Sequence, residues 1–318
     1  MTGPVVAPAR PAPADRGSDV VVRTAGLGKR YGRTVALDGV DLEVRRGEVL
    51  GYLGPNGAGK TTTIRLLLGL IRPTSGSATV LGHDAWREPH VVHRDIGYVP
   101  GEPALAERLT GREQVRAAAR LRGLTGEGAA PVLAERLGLD LDRPARALSR
   151  GNRQKLAVVV AMLSRPALLV LDEPTTGFDP LVQREFHALL REHVDAGGSV
   201  LLSSHALGEV EEVATRIAVL RAGRLVAVEE LATLRRRSLH RVRARFADPG
   251  AAGRLAAVPG LRDVRVEGDV LACSAPSAAL DGLIRQLADH EVVDLECTEA
   301  GLEETFLAYY GSGTGRGR

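Results

Sequence analysis

The chain has 318 residues, 44% of them hydrophobic, and a formal net charge of +3 with both signs spread along its length. That is enough apolar material for a core in one large domain or two ordinary ones, and it excludes a long basic arm for nucleic acid. Two cysteines, Cys273 and Cys297, exclude a disulfide framework and are expected to be buried free thiols in a reducing compartment.

Residues 1–19 are rich in Pro and Ala, lack the basic start and apolar run of a secretory signal, and are expected to be a disordered tail. Val20 to Arg23 reads as a strand, and Glu48 to Gly54 as a short buried one. A glycine-rich stretch follows, then a helix from Lys60 to Leu70 and a strand from Ile96 to Pro100. Helical patterns cover Arg112 to Leu121, Ala129 to Leu137 and Arg150 to Leu163. A buried strand is expected from Ala167 to Asp172, a helix from Leu181 to Val194, a strand from Ser199 to Ser204 and a helix from Ala206 to Val213. Strands alternating with helices argue for an α/β fold with a mainly parallel sheet covered on both faces. The longest apolar run, Leu156 to Leu163, is far below the roughly 18 residues of a membrane-spanning helix.

The pattern changes after about Val228. A strand from Leu239 to Phe246, a helix from Pro249 to Val258, a hairpin from Asp263 to Ser274, a helix from Ala278 to Asp289 and a strand from Glu291 to Cys297 give the order of a small α+β ferredoxin-like domain. A last helix is expected from Leu302 to Tyr310, and no internal repeat is visible.

Gly54-Pro55-Asn56-Gly57-Ala58-Gly59-Lys60-Thr61 fits the phosphate-binding loop G-x-x-x-x-G-K-[ST], with Thr62 next in the helix it opens. Glycines let backbone N–H groups converge on an anion, and the helix start adds its positive end. Lys60 supplies a point charge for the β- and γ-phosphates, and the Thr61 hydroxyl a ligand for Mg²⁺. Asp172 ends a buried strand, which brings its carboxylate to the sheet edge beside the loop as a second Mg²⁺ group. Glu173 follows and is placed to polarise an attacking water. His83, His90 and His93 are expected to lack the acidic or thiol partners of a metal cluster and are read as structural.

With these motifs in this order, the sequence from about Val20 to Val228 resembles the ATP-binding subunit of an ATP-binding cassette (ABC) transporter. The resemblance implies a P-loop cassette over 20–228 with a helical subdomain at about 101–163. It also implies an accessory domain over 229–311, similar to those of drug and antibiotic efflux ATPases; the Gly-rich residues 312–318 are expected to be a flexible tail. Tyr31 in "KRYG" matches the aromatic that stacks on adenine. Ser149, Arg150, Gly151 and Asn152 in "LSRGNRQKL" resemble the family signature, in which Ser149 and Gly151 would meet the γ-phosphate of a second subunit's ATP. Asp179 in "TTGFDP" matches a residue that crosses the dimer interface. His205, 33 residues beyond Asp172, matches the switch histidine that contacts the γ-phosphate and fixes water together with Glu173. The family likeness thus implies ATP and Mg²⁺ as cofactors, a homodimer of cassettes and a separate transmembrane permease subunit, with no nucleic acid. It places the chain in the cytoplasm, peripheral on the inner face of the membrane, and suggests export.

The sequence departs from the family at two places. Gly101 stands where a Gln usually touches Mg²⁺ and water, followed by Glu102, so that either Glu102 or a water substitutes or coupling is wired differently. Arg150 and Asn152 replace Gly and Gln of the signature, a pattern similar to a branch of exporters. The 47 residues between Gly101 and Ser149 suit a compact helical subdomain that docks on a membrane partner, through the surface after Gly101 and the helices up to Leu121. They are too few for a long coiled-coil insertion. Two alternatives stay open on these residues: a soluble ABC ATPase in repair, translation or regulation, and a non-hydrolysing ATP-binding regulator.

Overall fold

The computed structural model describes residues 19–236 and 239–299. A six-stranded sheet forms the centre. Its strands run side by side in the order Arg224–Glu230, Arg216–Arg221, Val49–Leu53, Ser199–Ser204, Leu168–Asp172 and Ile96–Val99. The last five are mutually parallel, and only the Arg224–Glu230 edge strand is antiparallel. Val49–Leu53, Leu168–Asp172 and Ser199–Ser204 are buried along their whole length, as a sheet covered on both faces requires.

A second, antiparallel sheet packs nearby. Val20–Tyr31 lies between Thr34–Val40 and Ser75–Val80, with Glu43–Arg45 also on it and His83–Asp84 at the far edge. The sequence reading stopped the first strand at Arg23. In the structure it continues to Tyr31 through register shifts near Leu27 to Lys29. Such bulges break the alternation of apolar and polar residues, so periodicity ends before the strand does. The rest of this sheet, and the hairpin of Arg216–Arg221 with Arg224–Glu230, carried too weak an alternation to be read from sequence.

The expected helices fall where their patterns put them, with ends shifted by a few residues, and short helices at Pro89–Val92 and Leu231–Arg236 are added. Lys60–Leu67 stops before Leu70, at Gly69 with φ 63°, and the expected Ala206 to Val213 helix is reduced to Leu207–Glu211. Gly111–Leu121, Ala130–Arg136 and Arg150–Met162 form the helical part between the central strands. Thr110 caps the first of these with a reciprocal box to Glu113. One core cluster joins this helical part to one face of the central sheet, through Val115, Ala134, Leu156, Phe186 and Val200. Another fills the space between the two sheets around Tyr52, Ile64, Leu50 and Val22.

Residues 239–299 build a four-stranded antiparallel sheet in the order Arg262–Glu267, Val270–Pro276, Leu239–Phe246, Val292–Glu299. With helices Pro249–Leu255 and Ser277–Ala288, this is the ferredoxin-like arrangement, with its own core of Val242, Phe246, Leu255, Leu271 and Leu283. One expectation fails here. Cys273 is buried, but Cys297 is exposed. Both pair with Val242 from opposite sides. The two helices pack on the strands carrying Val242 and Cys273, and among the described residues the Val292–Glu299 edge is exposed along nearly all its length. The expected Leu302 to Tyr310 helix lies outside the described residues.

Candidate nucleotide site

The site is built at the carboxyl ends of the parallel strands, where successive loops leave the sheet side by side. Val49–Leu53 runs straight into the Gly54 loop. Gly54 is forced by packing, because a Cβ there would stand 2.4 Å from the Leu220 carbonyl oxygen. Gly59 is forced by conformation, with φ 112°, and a Cβ would meet the Ala36 carbonyl at 2.7 Å. The helix Lys60–Leu67 starts at Gly59 with no side-chain cap. Its first N–H groups therefore point out of the loop with no side-chain acceptor from the cap, which is the local chemistry of an anion site. Pro55, Asn56 and Gly57 form the exposed rim, while Ala58 is buried under it.

Lys60 is folded back into this loop. Its Nζ donates to the Gly54 carbonyl at 2.6 Å and lies 3.5 Å from Glu173 Oε1. Thr61 Oγ1 donates to Asp172 Oδ2 at 2.8 Å, across 111 residues of sequence. Thr62, one residue on, is half-buried. The second oxygen of Asp172 accepts from Ser203 Oγ at 2.6 Å, on the neighbouring strand. A hydroxyl and a carboxylate meeting in this way are hard oxygen donors and suit a Mg²⁺ ion.

Glu173 follows the strand in a left-handed conformation, φ 49°. For a non-glycine residue this costs about 1–3 kcal/mol. It is held by its own N–H to the Ser203 carbonyl at 3.1 Å and by Thr176 Oγ1, which donates to its carbonyl at 3.0 Å. The turn aims the carboxylate back over the loop, where His205 Nδ1 stands 3.3 Å from Glu173 Oε2. His205 itself is exposed, on a turn pinned by Ser204 Oγ, which accepts from the Ala206 N–H at 3.0 Å and donates to Glu209 at 2.6 Å. Lys60, Glu173 and His205 are thus linked by one run of contacts, and Thr61 and Asp172, their sequence neighbours, by another.

The other expected residues lie on neighbouring surfaces. Ser149 is the exposed N-cap of Arg150–Met162, its Oγ accepting from the Asn152 N–H at 3.3 Å. Gly151 rests against the loop after Glu173, where a Cβ would come 2.4 Å from the Gly177 carbonyl. Asp179 caps the next helix, accepting from the Leu181 and Val182 N–H groups at 3.0 Å each. Those backbone bonds hold its carboxyl below the usual carboxylate range. Tyr31 is exposed at the end of its strand, with Lys29 Nζ 5.0 Å from its ring centroid. Gly101 lies beside the site, its Cβ position 3.4 Å from the Asp172 carbonyl, while Glu102 is exposed. Of the three histidines expected to lack acidic partners, His83 departs, its Nδ1 lying 3.5 Å from Glu88, while His93 Nε2 lies 2.7 Å from the Leu68 carbonyl.

Three participants were not foreseen. Ser203 orients Asp172; the only sequence signal was a pair of serines ending an otherwise apolar strand. Tyr52, fully buried, bonds Thr63 Oγ1 at 3.0 Å and anchors the first turn of the loop's helix. Gln154 is buried in the helix that Ser149 caps and donates to the Pro100 carbonyl at 3.4 Å.

The fold and the site define a P-loop nucleoside triphosphatase. The comparisons with known proteins narrow this. Residues 37–176 match the family model of the ABC transporter. The chain is 38% identical over 302 residues to the daunorubicin resistance ATP-binding protein DrrA3 of Streptomyces coeruleorubidus, covering 91% of this chain and 96% of that protein. It is 30% identical over 304 residues to the bacitracin transport ATP-binding protein BcrA of Bacillus licheniformis, covering 92% and 98%. Among solved structures, the ATP-binding subunit of an ABC transporter superposes with a TM-score of 0.63 at 33% identity, over 68% of this chain and 92% of that one. The chain belongs to the ABC transporter family, as an ATP-binding cassette subunit. It binds nucleotide and hydrolyses ATP to power transport, and among the described residues no helix is long and apolar enough to cross a membrane.

Proposed function

We propose that two copies of this chain clasp two ATP molecules between them, and that the clasp drives a separate membrane-spanning subunit exporting a drug, an antibiotic or another hydrophobic compound. In each site the Gly54–Thr62 loop wraps the phosphates with its amides, and the Lys60 ammonium leaves the Gly54 carbonyl for the stronger acceptor of the β- and γ-phosphates. Thr61 and Asp172 would hold Mg²⁺, whose chemistry there would be to neutralise charge on the phosphate oxygens. Ser203 keeps the Asp172 carboxylate turned toward Thr61. Glu173 takes the proton of the attacking water, and His205, with a proton on Nδ1, orients the Glu173 carboxylate and reaches the γ-phosphate. Tyr31 stacks on the adenine. The second copy supplies Ser149 and Gly151 at a helix start, a further anion site, and its Asp179 crosses the interface.

The observation that carries this reading is the Lys60–Glu173–His205 chain, with contacts of 3.5 and 3.3 Å, and the Thr61–Asp172 hydrogen bond of 2.8 Å formed by the residues next to Lys60 and Glu173 in sequence. A place for the membrane subunit is supported by a cleft of about 610 Å³ lined by His90, His93, Ala118, Leu121 and Val160, where Leu121 is 90% exposed. Attachment there would hold the chain at the cytoplasmic face of the membrane. The likeness to proteins named for daunorubicin resistance and bacitracin transport supports the cargo class. The test is Glu173→Gln in the full-length chain. It should bind ATP, lose turnover by about 10²- to 10⁴-fold, and elute as a dimer with saturating Mg²⁺ and ATP. Persistence as a monomer, or unchanged turnover, would refute the scheme.

A further inference from the structure

One loop joins the nucleotide-binding side of the cassette to the helix that Ser149 caps. Strand Ile96–Val99 pairs in parallel with Leu168–Asp172. Where it ends, Gly101 lies against the Asp172 carbonyl, its Cβ position 3.4 Å away. A glycine has no side chain with which to report on that site, so at residue 101 the connection to Asp172 runs through the backbone.

The loop is fastened to the Ser149 helix twice. Gln154 Nε2 donates to the Pro100 carbonyl at 3.4 Å, and the Arg153 guanidinium pairs with the Glu107 carboxylate. Backbone bonds continue the connection, from Arg146 N–H to the Glu107 carbonyl at 3.1 Å and from Ala145 N–H to the Leu109 carbonyl at 2.9 Å, in the segment leading into Ser149. Gln154 is 2% exposed on a helix whose other buried side chains are apolar, among them Leu156, Val158 and Val159. Packing alone would favour an apolar residue there, since a buried amide is tolerated only with a hydrogen-bond partner. The Arg153–Glu107 pair is partly solvated, with side chains 27% and 55% exposed, and such pairs add little to folding.

We infer that Gln154 and Arg153 are positioning residues. They latch the Pro100–Leu109 loop to the signature helix, so that the state of a chain's own nucleotide site sets the placement of its Ser149 for the nucleotide of the other copy. The inference rests on the two-copy clasp proposed above, and its test keeps the two apart.

The background is full-length Glu173→Gln with Mg²⁺ and ATP, with dimer formation followed by light scattering across an ATP titration. Because residue 154 is buried, the surface pair is the decisive arm. Arg153→Glu and Glu107→Arg should each raise the ATP needed for half-maximal dimerisation by about tenfold, with monomer affinity for a fluorescent ATP analogue held within about twofold. Their melting temperatures should stay within about 2 °C of the parent. The combined exchange, Arg153→Glu with Glu107→Arg, should restore dimerisation, and Gln154→Met should reproduce the single-variant defect. The latch is overturned if either single variant dimerises as the parent does, if the exchange fails to restore, or if every loss tracks a fall in melting temperature. If Glu173→Gln itself fails to dimerise, the clasp falls. If it dimerises and the latch variants match it, only the latch falls.

Discussion

Gly151→Ala is the sharpest perturbation the geometry offers. A Cβ at residue 151 would stand 2.4 Å from the Gly177 carbonyl oxygen, whereas ordinary contact starts at 3.4 Å, so about 1 Å must open between two backbones. Neither side can swing away, because both obstructing groups are main chain. Forcing extra bulk into such a contact costs about 1–3 kcal/mol. Alanine in a helix recovers about 0.5–1 kcal/mol over glycine. The net loss of stability is therefore modest, about 0–2.5 kcal/mol. The functional loss should be larger. Ser149 and its helix start move with Gly151, and a misplacement of about 1 Å at a reacting group costs about 10²-fold in rate. That equals about 2.7 kcal/mol of barrier. Steady-state phosphate release and thermal unfolding, measured side by side, should show kcat falling about a hundredfold with a modest change in Tm. Gly208→Ala is the control: nothing lies within 4 Å of its Cβ position and its φ is not left-handed, so its kcat should match the parent. A Gly151→Ala enzyme whose kcat stays within about twofold of the parent would show that the signature helix start does not need this seating.

Lys60→Ala removes the buried ammonium that contacts Gly54 and Glu173. A lost contact to a charged group is worth about 1.5–3 kcal/mol, so nucleotide affinity by calorimetry should fall about 10- to 100-fold; an unaltered affinity would remove the loop from the site. Ser203→Ala leaves Asp172 with one partner fewer. The Mg²⁺ concentration for half-maximal ATPase should rise about tenfold, as for the loss of a group behind a metal ligand, and an unchanged Mg²⁺ titration would refute that role. His187 and His193 are buried with Nε2 unpartnered. Burial holds both below the usual 6.5, while Glu212 and Glu209 around His187 oppose the shift and Arg191 adds to it. The unfolded chain then binds more protons, so stability present above pH 6.5 is lost as pH falls through the lower folded-state values. Melting temperature should drop less between pH 7.5 and 5.5 in His193→Leu than in the parent, an order-of-magnitude window set by the histidine range; parallel curves would refute the assignment.

Some of this molecule was legible without coordinates. Phosphate binding by Gly54–Thr61 depends on contiguous backbone and a helix start, so one short stretch carries both the chemistry and its geometry. Asp172 and Glu173 were legible because a buried apolar run ending in acids can end only at a sheet edge. The order of elements in residues 239–299 was likewise readable, since its strands alternate over most of their length and their register shifts fall near the ends, at Arg262–Arg265 and Arg245–Phe246. The Val20–Tyr31 strand was legible only to Arg23, because bulges beyond it destroy the period that marks a strand. Cys297 was misread because residue type alone does not say whether a strand is at an edge or which face a helix covers.

The tertiary structure decided what depends on residues far apart in the chain. Asp172 meets Thr61 across 111 positions and Ser203 across 31, and Gln154 meets Pro100 across 54. No local pattern encodes such a pairing, because hydrogen bonds act over about 3 Å in space and are indifferent to sequence separation. The sequence therefore determined which groups were available to handle a triphosphate, and the packing of parallel strands decided which of them touch.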